Sequence, residues 1–142
     1  MATEGICELR FHMWPREVFD AVGPDPHSGK ERMLARTLDN LLNRPGVYVL
    51  YRDDVPFYVG QAEKMRSRIW HHAWEPDSPY FNFWNFFSAF VIADKSRREE
   101  VEGILIAAMP TANSSQPEIE TQRLPPEVIK LIRAIRRQKA TV

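Results

Sequence analysis

The chain has 142 residues, 44% of them hydrophobic and 27% charged, with 19 basic and 19 acidic side chains. This balance is typical of one globular domain and excludes nucleic-acid binding by bulk charge alone. No apolar run approaches the ~20 residues that span a bilayer, and the single cysteine, Cys7, excludes an intrachain disulfide and a cysteine-based zinc site. We therefore predict a cytoplasmic protein without membrane association.

The first 45 residues are predicted to form an N-terminal helical extension. Residues 8–13 are compatible with a short strand. Pro15–Val22 fits a short helix that has proline at its first position, and an apolar stripe predicts a second helix over Lys30–Asn43. Because the extension carries no pattern of chemistry-bearing residues, we predict for it a packing role.

Two alternating runs follow, and they predict an antiparallel hairpin. Residues 46–52 and 55–61 alternate with the period of strands, and Asp53-Asp54 between them is a polar turn. The second run continues into a basic helix predicted from about Glu63 to Trp74. A third strand is predicted over residues 84–93, which are apolar on both faces and should be covered on both sides.

Two further helices complete the predicted fold. The first runs from Arg97 to Met109 with Ser96 as N-cap, and its last six residues are apolar all round, which predicts burial. The second, Pro126–Lys139, is amphipathic, with four apolar residues predicted to face inward: Val128, Leu131, Ile132 and Ile135.

The predicted fold is a single α+β domain, residues 1–142, with a small three-stranded antiparallel sheet flanked by helices. Its core covers residues 46–115, and residues 116–142 form a loop and a basic C-terminal helix.

Short motifs in this core resemble the GIY-YIG nuclease family. Gly46-Val47-Tyr48 matches the first signature and Tyr58-Val59-Gly60 the second, each with Val for Ile. The family's later positions are matched in order by Arg68 ten residues after Tyr58, His72, Glu102 in VEGILI, and Asn113 in Pro-x-x-Asn. The histidine is similar to one found in some restriction-enzyme members. The resemblance spans residues 46–113, and the segment between Glu102 and Asn113 is one residue shorter than the family pattern.

The resemblance implies a metal-dependent endonuclease that hydrolyses DNA phosphodiester bonds and leaves 5′-phosphate and 3′-hydroxyl ends. It implies Mg²⁺ or Mn²⁺ as cofactor and DNA as partner, while RNA stays open as a substrate. A homodimer or a specificity-giving partner protein is a further open possibility. The alternative is a catalytically silent nucleic-acid-binding or protein-interaction module with the same fold.

The residue types suit this chemistry on their own. Phosphodiester hydrolysis needs a gripped phosphate, an activated water and neutralisation of developing charge. The forked guanidinium of arginine suits phosphate, so we expect phosphate contacts from Arg66 and Arg68. We also expect a phosphate contact from Asn113. Glu102 precedes an apolar turn, and a carboxylate placed there suits a hard metal completed by water and phosphate oxygens.

The tyrosines and the histidine leave the general base open. A free phenol has a pKa of ~10, too high for a good base at neutral pH, whereas the histidine reference is near ~6.5. Either Tyr48 or His72 activates water, directly or in sequence, and Tyr58 orients the water or the phosphate. The plain alternative is that both tyrosines are ordinary strand aromatics. We expect Tyr48, Tyr58, Arg68 and Glu102 to line one open cleft.

Overall fold

The computed structural model describes residues 5–22, 40–76, 78, 83–113, 117 and 119–140, and for residues 20–22 it describes the backbone alone. The predicted helix Lys30–Asn43 lies outside the described residues as far as residue 39. Among the described residues, no helix is long and apolar enough to cross a membrane.

An antiparallel sheet organises the chain, in the strand order β1-β4-β2-β3. The elements in chain order are β1 Leu9–Pro15, a 3-10 helix Arg16–Val22, β2 Gly46–Arg52, β3 Val55–Ala62, α1 Met65–Trp74, β4 Phe86–Val91, α2 Lys95–Ala108 and α3 Pro126–Ala140. Three predicted elements are confirmed, with small shifts at their ends: the hairpin of β2 and β3, helix α1 after it, and strand β4, whose sequence is apolar on both faces.

The sheet has four strands, so the prediction of three strands is wrong. The extra strand is β1, which pairs with β4 from Leu9 opposite Val91 to Pro15 opposite Phe86. The predicted helical extension therefore supplies a sheet strand as well as a 3-10 helix. Its strand pattern is weak because the register shifts between Phe11 and Trp14, and a bulge there interrupts the alternation.

Gly46, the first signature's glycine, lies where two elements approach β2 closely. A Cβ at this position would meet the backbone carbonyl oxygen of Phe90 on β4 and the Met65 sulfur, the latter at 2.8 Å. The carbonyl belongs to a paired strand and cannot move aside. The glycine is therefore required for packing, independently of any chemistry.

The alternation of β2 places two cores on opposite faces of the sheet. Tyr48 and Leu50 face one core, which α1 covers with Met65 and Ile69. Val47 and Val49, with Val59 of β3, face the other core, which α2 covers with Ile106. The two helices predicted to carry the arginine and the carboxylate thus lie on opposite faces of one sheet.

Helix α2 differs from its prediction in two respects. Its N-cap is Asp94, whose carboxylate accepts a hydrogen bond from the Arg97 N–H at 3.1 Å, while the Ser96 hydroxyl donates to the same oxygen at 2.6 Å. The expected all-round burial near its C-terminus is wrong, because the helix meets the sheet along one stripe. Ile106 is buried on that stripe and Ile104 is 52% exposed.

Helix α3 buries none of its side chains. The prediction that its apolar residues face inward is wrong for three of the four: Leu131 is 60% exposed, and Val128 and Ile135 are also exposed, whereas Ile132 is half-buried. The sequence pattern correctly indicated an amphipathic helix, but not what its apolar face would contact.

Candidate active site

A chain of buried hydrogen-bonding groups connects β2, α1 and the segment after α1. The Tyr48 hydroxyl lies 3.0 Å from His72 Nε2, and His72 Nδ1 lies 2.8 Å from the Ser78 hydroxyl. All three residues are buried, at 1%, 5% and 5% exposure. The sequence brings them together because Tyr48 and His72 both point into the core between the sheet and α1.

Tyr58 completes an aromatic cluster with this pair. Its ring centroid is 6.2 Å from that of Tyr48 and 5.6 Å from that of His72. Tyr48 is paired with Gly60 across the hairpin, and a Cβ at Gly60 would meet the Tyr48 hydroxyl and ring. The second signature's glycine therefore makes room for the first signature's tyrosine.

Burial determines the protonation of Tyr48. The loss of solvent, followed by the neighbouring Tyr58, raises the pKa of Tyr48 well above its usual value, and Arg68 opposes this only partly. Tyr48 also shares a side-chain hydrogen bond with Tyr58. At neutral pH Tyr48 is thus a neutral phenol, which cannot take a proton unless it passes its own proton on.

His72 is neutral for the corresponding reason. Burial, then the charges of His71 and Arg68, lowers the pKa of His72 to about 4. A neutral imidazole has one N–H donor and one acceptor nitrogen. With the proton on Nδ1, His72 donates to Ser78 and accepts from Tyr48, so the chain runs in one direction from phenol to imidazole.

The lowered pKa of His72 predicts a pH-dependent stability. Between pH 6.5 and about 4 the unfolded chain binds a proton here that the folded chain does not. The free energy of unfolding should therefore fall as pH is lowered through this window, by on the order of 3 kcal/mol. Urea unfolding at pH 7 and pH 4.5 measures this difference.

The matched variants for this measurement replace two neighbouring histidines, His72 and His71. His72→Gln should lose most of the pH dependence, whereas His71→Gln should keep most of it, because the buried hydrogen bonds to Tyr48 and Ser78 are made by His72. Equal pH dependence in the wild type and His72→Gln would contradict the buried, neutral state of His72.

Arg68 brings positive charge to the surface beside this cluster. It is exposed on α1 and lines a cleft of about 530 Å³ with Ala62, Glu63, Lys64, Ser67 and His71. Its charge acts on both Tyr48 and His72. Arg66, two residues earlier, is half-buried, so of these two arginines Arg68 presents the more accessible cation.

Glu102 approaches from the other face of the sheet. It is half-buried on α2, and the Gln61 side-chain amide lies 3.4 Å from its Oε1. Burial, with a contribution from Glu99, raises the pKa of Glu102, and Glu102 in turn raises that of Tyr48. Gln61 belongs to edge strand β3. The Glu102 carboxylate and the aromatic cluster therefore lie near the same edge of the sheet, on its opposite faces.

The surroundings of Glu102 fit a single hard cation. A partly desolvated carboxylate gains from a cation, and an amide at 3.4 Å is a weak partner. Among the described residues, no three His, Cys, Asp or Glu side chains form a metal-binding group. Glu102 would thus be one protein ligand of an Mg²⁺ or Mn²⁺ ion otherwise held by water and phosphate oxygens.

Asn113 fixes the chain beside the edge strand. Its Oδ1 accepts from the Val59 N–H at 3.0 Å, and its Nδ2 donates to the Val59 carbonyl at 2.8 Å. The Ala112 N–H donates to the Phe57 carbonyl at 2.7 Å, so residues 112–113 cover part of the β3 edge. Contact between Asn113 and phosphate stays a prediction, since this geometry gives the amide a positioning role.

The four residues expected to line one open cleft do not line it together. Arg68 lines the cleft beside α1 and Tyr58 is half-exposed, but Tyr48 is buried in the core and Glu102 lies on the other face of the sheet. Sequence reasoning missed Ser78 and Gln61. Gln61 directly follows the second signature, which was a usable signal, but nothing local marks Ser78, whose contact with His72 depends on the fold.

Arg16 was also missed, and it supports the helix that carries Arg68 and His72. Its guanidinium donates to the Ala73 carbonyl at 2.6 Å and to the Trp84 carbonyl at 3.1 Å. The N-terminal segment therefore holds the C-terminal end of α1 in place, in keeping with its predicted packing role.

Similarity to known proteins is found among solved structures. No protein-family model matches the sequence, and no curated protein matches it. Solved structures that match include the GIY-YIG N-terminal endonuclease domain of UvrC from Thermotoga maritima bound to its catalytic magnesium, at 21% identity and a TM-score of 0.44, covering 54% of this chain and 91% of that one.

Two point mutants of the same domain, each bound to its catalytic divalent cation, match at 21% and 19% identity, both with a TM-score of 0.44. They cover 54% and 52% of this chain, and 90% and 86% of their own chains. The chain is thus similar to the GIY-YIG endonuclease domain of UvrC, with a four-stranded antiparallel sheet at its centre.

Proposed function

We propose that the protein is a metal-dependent endonuclease that hydrolyses DNA phosphodiester bonds and leaves 5′-phosphate and 3′-hydroxyl ends. The observation that carries the proposal is the Tyr48 hydroxyl 3.0 Å from His72 Nε2, with Tyr58 and Arg68 beside them. This network joins a phenol and an imidazole, two groups that can move a proton, and the half-exposed Tyr58 lies beside them.

The proton route follows from burial. Tyr58 is half-exposed and hydrogen-bonded to Tyr48, so it is the member of the chain that can touch a solvent water. As the water gives its proton to the Tyr58 oxygen, Tyr58 passes its own to Tyr48, and Tyr48 passes its own to His72 Nε2. The hydroxide attacks phosphorus, the 3′ oxygen leaves and takes a proton from solvent, and His72 returns its proton to solvent.

Arg68 and Glu102 supply the charge for this reaction. Arg68 lies at the surface, where its guanidinium can hold the scissile phosphate with two parallel hydrogen bonds. Glu102 would hold the divalent cation, which when bound supplies charge stabilisation at the phosphate. Arg68 on α1 and Glu102 on α2 would thus act on the phosphate from the two faces of the sheet.

The test is the rate of DNA cleavage in Mg²⁺ by Tyr48→Phe, with Tyr51→Phe as the matched control. Removing the Tyr48 hydroxyl breaks the proton route and should slow single-turnover cleavage at least ~100-fold. Tyr51 lies on the same strand and packs in the opposite core, so its variant should cut like the wild type. Equal cleavage by both variants would refute the route through Tyr48.

One observation favours the second candidate, a silent nucleic-acid-binding module. Tyr48 is buried to 1% exposure and the pKa of His72 is about 4, which makes the imidazole a weak base. A wild type that binds duplex DNA but cuts neither DNA nor RNA in Mg²⁺ or Mn²⁺ would establish this second candidate.

A further inference from the structure

Helix α3 carries a continuous basic stripe. Lys130, Arg133 and Arg137 are spaced i, i+3 and i+7, which places them on one face, and Arg136 adjoins them. All four side chains are exposed and border a shallow concavity of about 570 Å³. The apolar residues Val128, Leu131 and Ile135 fall on the opposite face of the helix.

Among the described residues, no carboxylate forms a salt bridge with this stripe. The only salt bridge in the described part of the chain joins Arg44 and Glu8, which are far from α3 in sequence. The helix has five basic residues and one acidic residue, Glu127, which gives it a net charge of +4 (5 − 1). The whole chain has a net charge of zero, so positive charge is concentrated on this helix.

The helix also lacks the packing that normally stabilises such an element. It has 15 residues and buries none of them. Isolated helices of this length are marginal in water, and helices in proteins owe most of their stability to packing. Anions bound along the basic face would relieve the repulsion between like charges one turn apart and so stabilise the helix.

We propose that the basic stripe of α3 binds the phosphate backbone of duplex DNA, outside the catalytic cleft. The choice of DNA rests on the proposed function. Lys130 and Arg137 are about 10 Å apart along the helix axis, which matches roughly three phosphate-to-phosphate steps of one strand by axial rise. The contact is to backbone only, so it adds affinity and position without reading sequence.

An anionic lipid surface is the other ligand that suits a basic amphipathic helix, since it would bury the apolar face opposite Lys130, Arg133 and Arg137. We choose DNA because the proposed function supplies it and because the concavity is lined by Lys130, Arg133, Arg136 and Arg137, which suits a polyanion. Binding to lipid vesicles is therefore a separate outcome of the experiment.

The experiment measures the affinity of the full chain for a 30-base-pair duplex in EDTA, by fluorescence anisotropy over a series of salt concentrations. The test variant is Arg133→Gln/Arg137→Gln. The control is Arg123→Gln/Lys139→Gln, which removes the same charge at two exposed positions off the stripe. Glutamine keeps a helix propensity close to that of arginine, and circular dichroism verifies that both variants fold.

The stripe variant should weaken binding at least tenfold and reduce the slope of log K against log salt by about 1.8, corresponding to two lost phosphate contacts. The control should change affinity less than about threefold. Equal weakening by both variants, or wild-type affinity in the stripe variant, would overturn the proposal. A third result would also overturn it: the wild type co-sediments with phosphatidylserine vesicles, and the stripe variant loses this vesicle binding but keeps its affinity for DNA.

Cleavage separates this proposal from the proposed function. If the wild type cuts DNA but the stripe variant binds DNA with unchanged affinity, the stripe proposal fails and the proposed function still holds. If the wild type cuts no DNA but the stripe variant shows the expected loss of affinity, the proposed function fails and the stripe proposal still holds. In a cutting protein, the stripe variant should keep kcat at saturating DNA and raise KM.

Discussion

The Glu102→Gln variant is expected to cut DNA at least ~100-fold more slowly than the wild type in Mg²⁺. The change keeps the size of the side chain and its contact with the Gln61 amide, but removes the negative charge that would hold the cation. Folding should be unaffected or slightly improved, since burial already raises the pKa of this carboxyl and so disfavours its charged form. Single-turnover cleavage and thermal unfolding measure the two effects.

Glu99→Gln is the matched control for that variant. Glu99 is exposed on the same helix, one turn earlier, and its charge helps to raise the pKa of Glu102. Removing it should therefore leave cleavage unchanged or slightly faster at low pH. Wild-type cleavage by Glu102→Gln, or an equal loss in Glu99→Gln, would show that Glu102 does not hold the cation.

The Gly46→Ala variant is expected to lose its stable fold. The added Cβ would meet the Phe90 carbonyl oxygen in the middle of the sheet and the side chain of Met65. Met65 can shift, but the carbonyl is fixed by strand pairing between β2 and β4. Forcing the strands apart costs on the order of 3 kcal/mol or more, a large share of the stability of a domain of this size.

Gly5→Ala controls for the loss of glycine itself. A Cβ at Gly5 has only ordinary contacts, at 3.6 Å or more, so this variant should unfold in urea like the wild type. A Gly46→Ala protein with the wild-type midpoint would mean that β2 and β4 are not as close as described.

The parts of the fold that local sequence determines were predictable. Alternation across residues 46–52 and 55–61 indicated the hairpin, and the apolar run before α2 indicated a strand covered on both faces. Residues 8–13 were compatible with a short strand, but alternation did not indicate that this strand joins the sheet, because its bulge leaves Met13 at φ 51° and shifts the side chains that follow. Its pairing with β4 depends on residues about 75 positions away.

The site residues likewise divide into those that the sequence indicated and those that only the fold brings together. Tyr48, Tyr58, Arg68, His72 and Glu102 stood out because short motifs fix their spacing. Ser78 could not be found this way, since its role depends on a hydrogen bond to His72 that exists only in the folded chain. Burial of Tyr48 was also hidden. It raises the pKa of the phenol, so in the proposed mechanism Tyr48 relays a proton instead of acting as the base. Helix α3 is the opposite case: the sequence clearly indicated its apolar face, but no described part of the chain buries that face.

Cleavage of duplex DNA by the purified wild type, with and without a divalent cation, tests the central claim most directly. End-labelled duplex is incubated with Mg²⁺ or with EDTA, and the ends of the products are identified by their reaction with phosphatase, kinase and ligase. We expect cleavage only with the cation, and 5′-phosphate and 3′-hydroxyl ends. Cleavage that continues in EDTA, products with 3′-phosphate ends, or no cleavage of any duplex in Mg²⁺ or Mn²⁺ would contradict the proposed endonuclease.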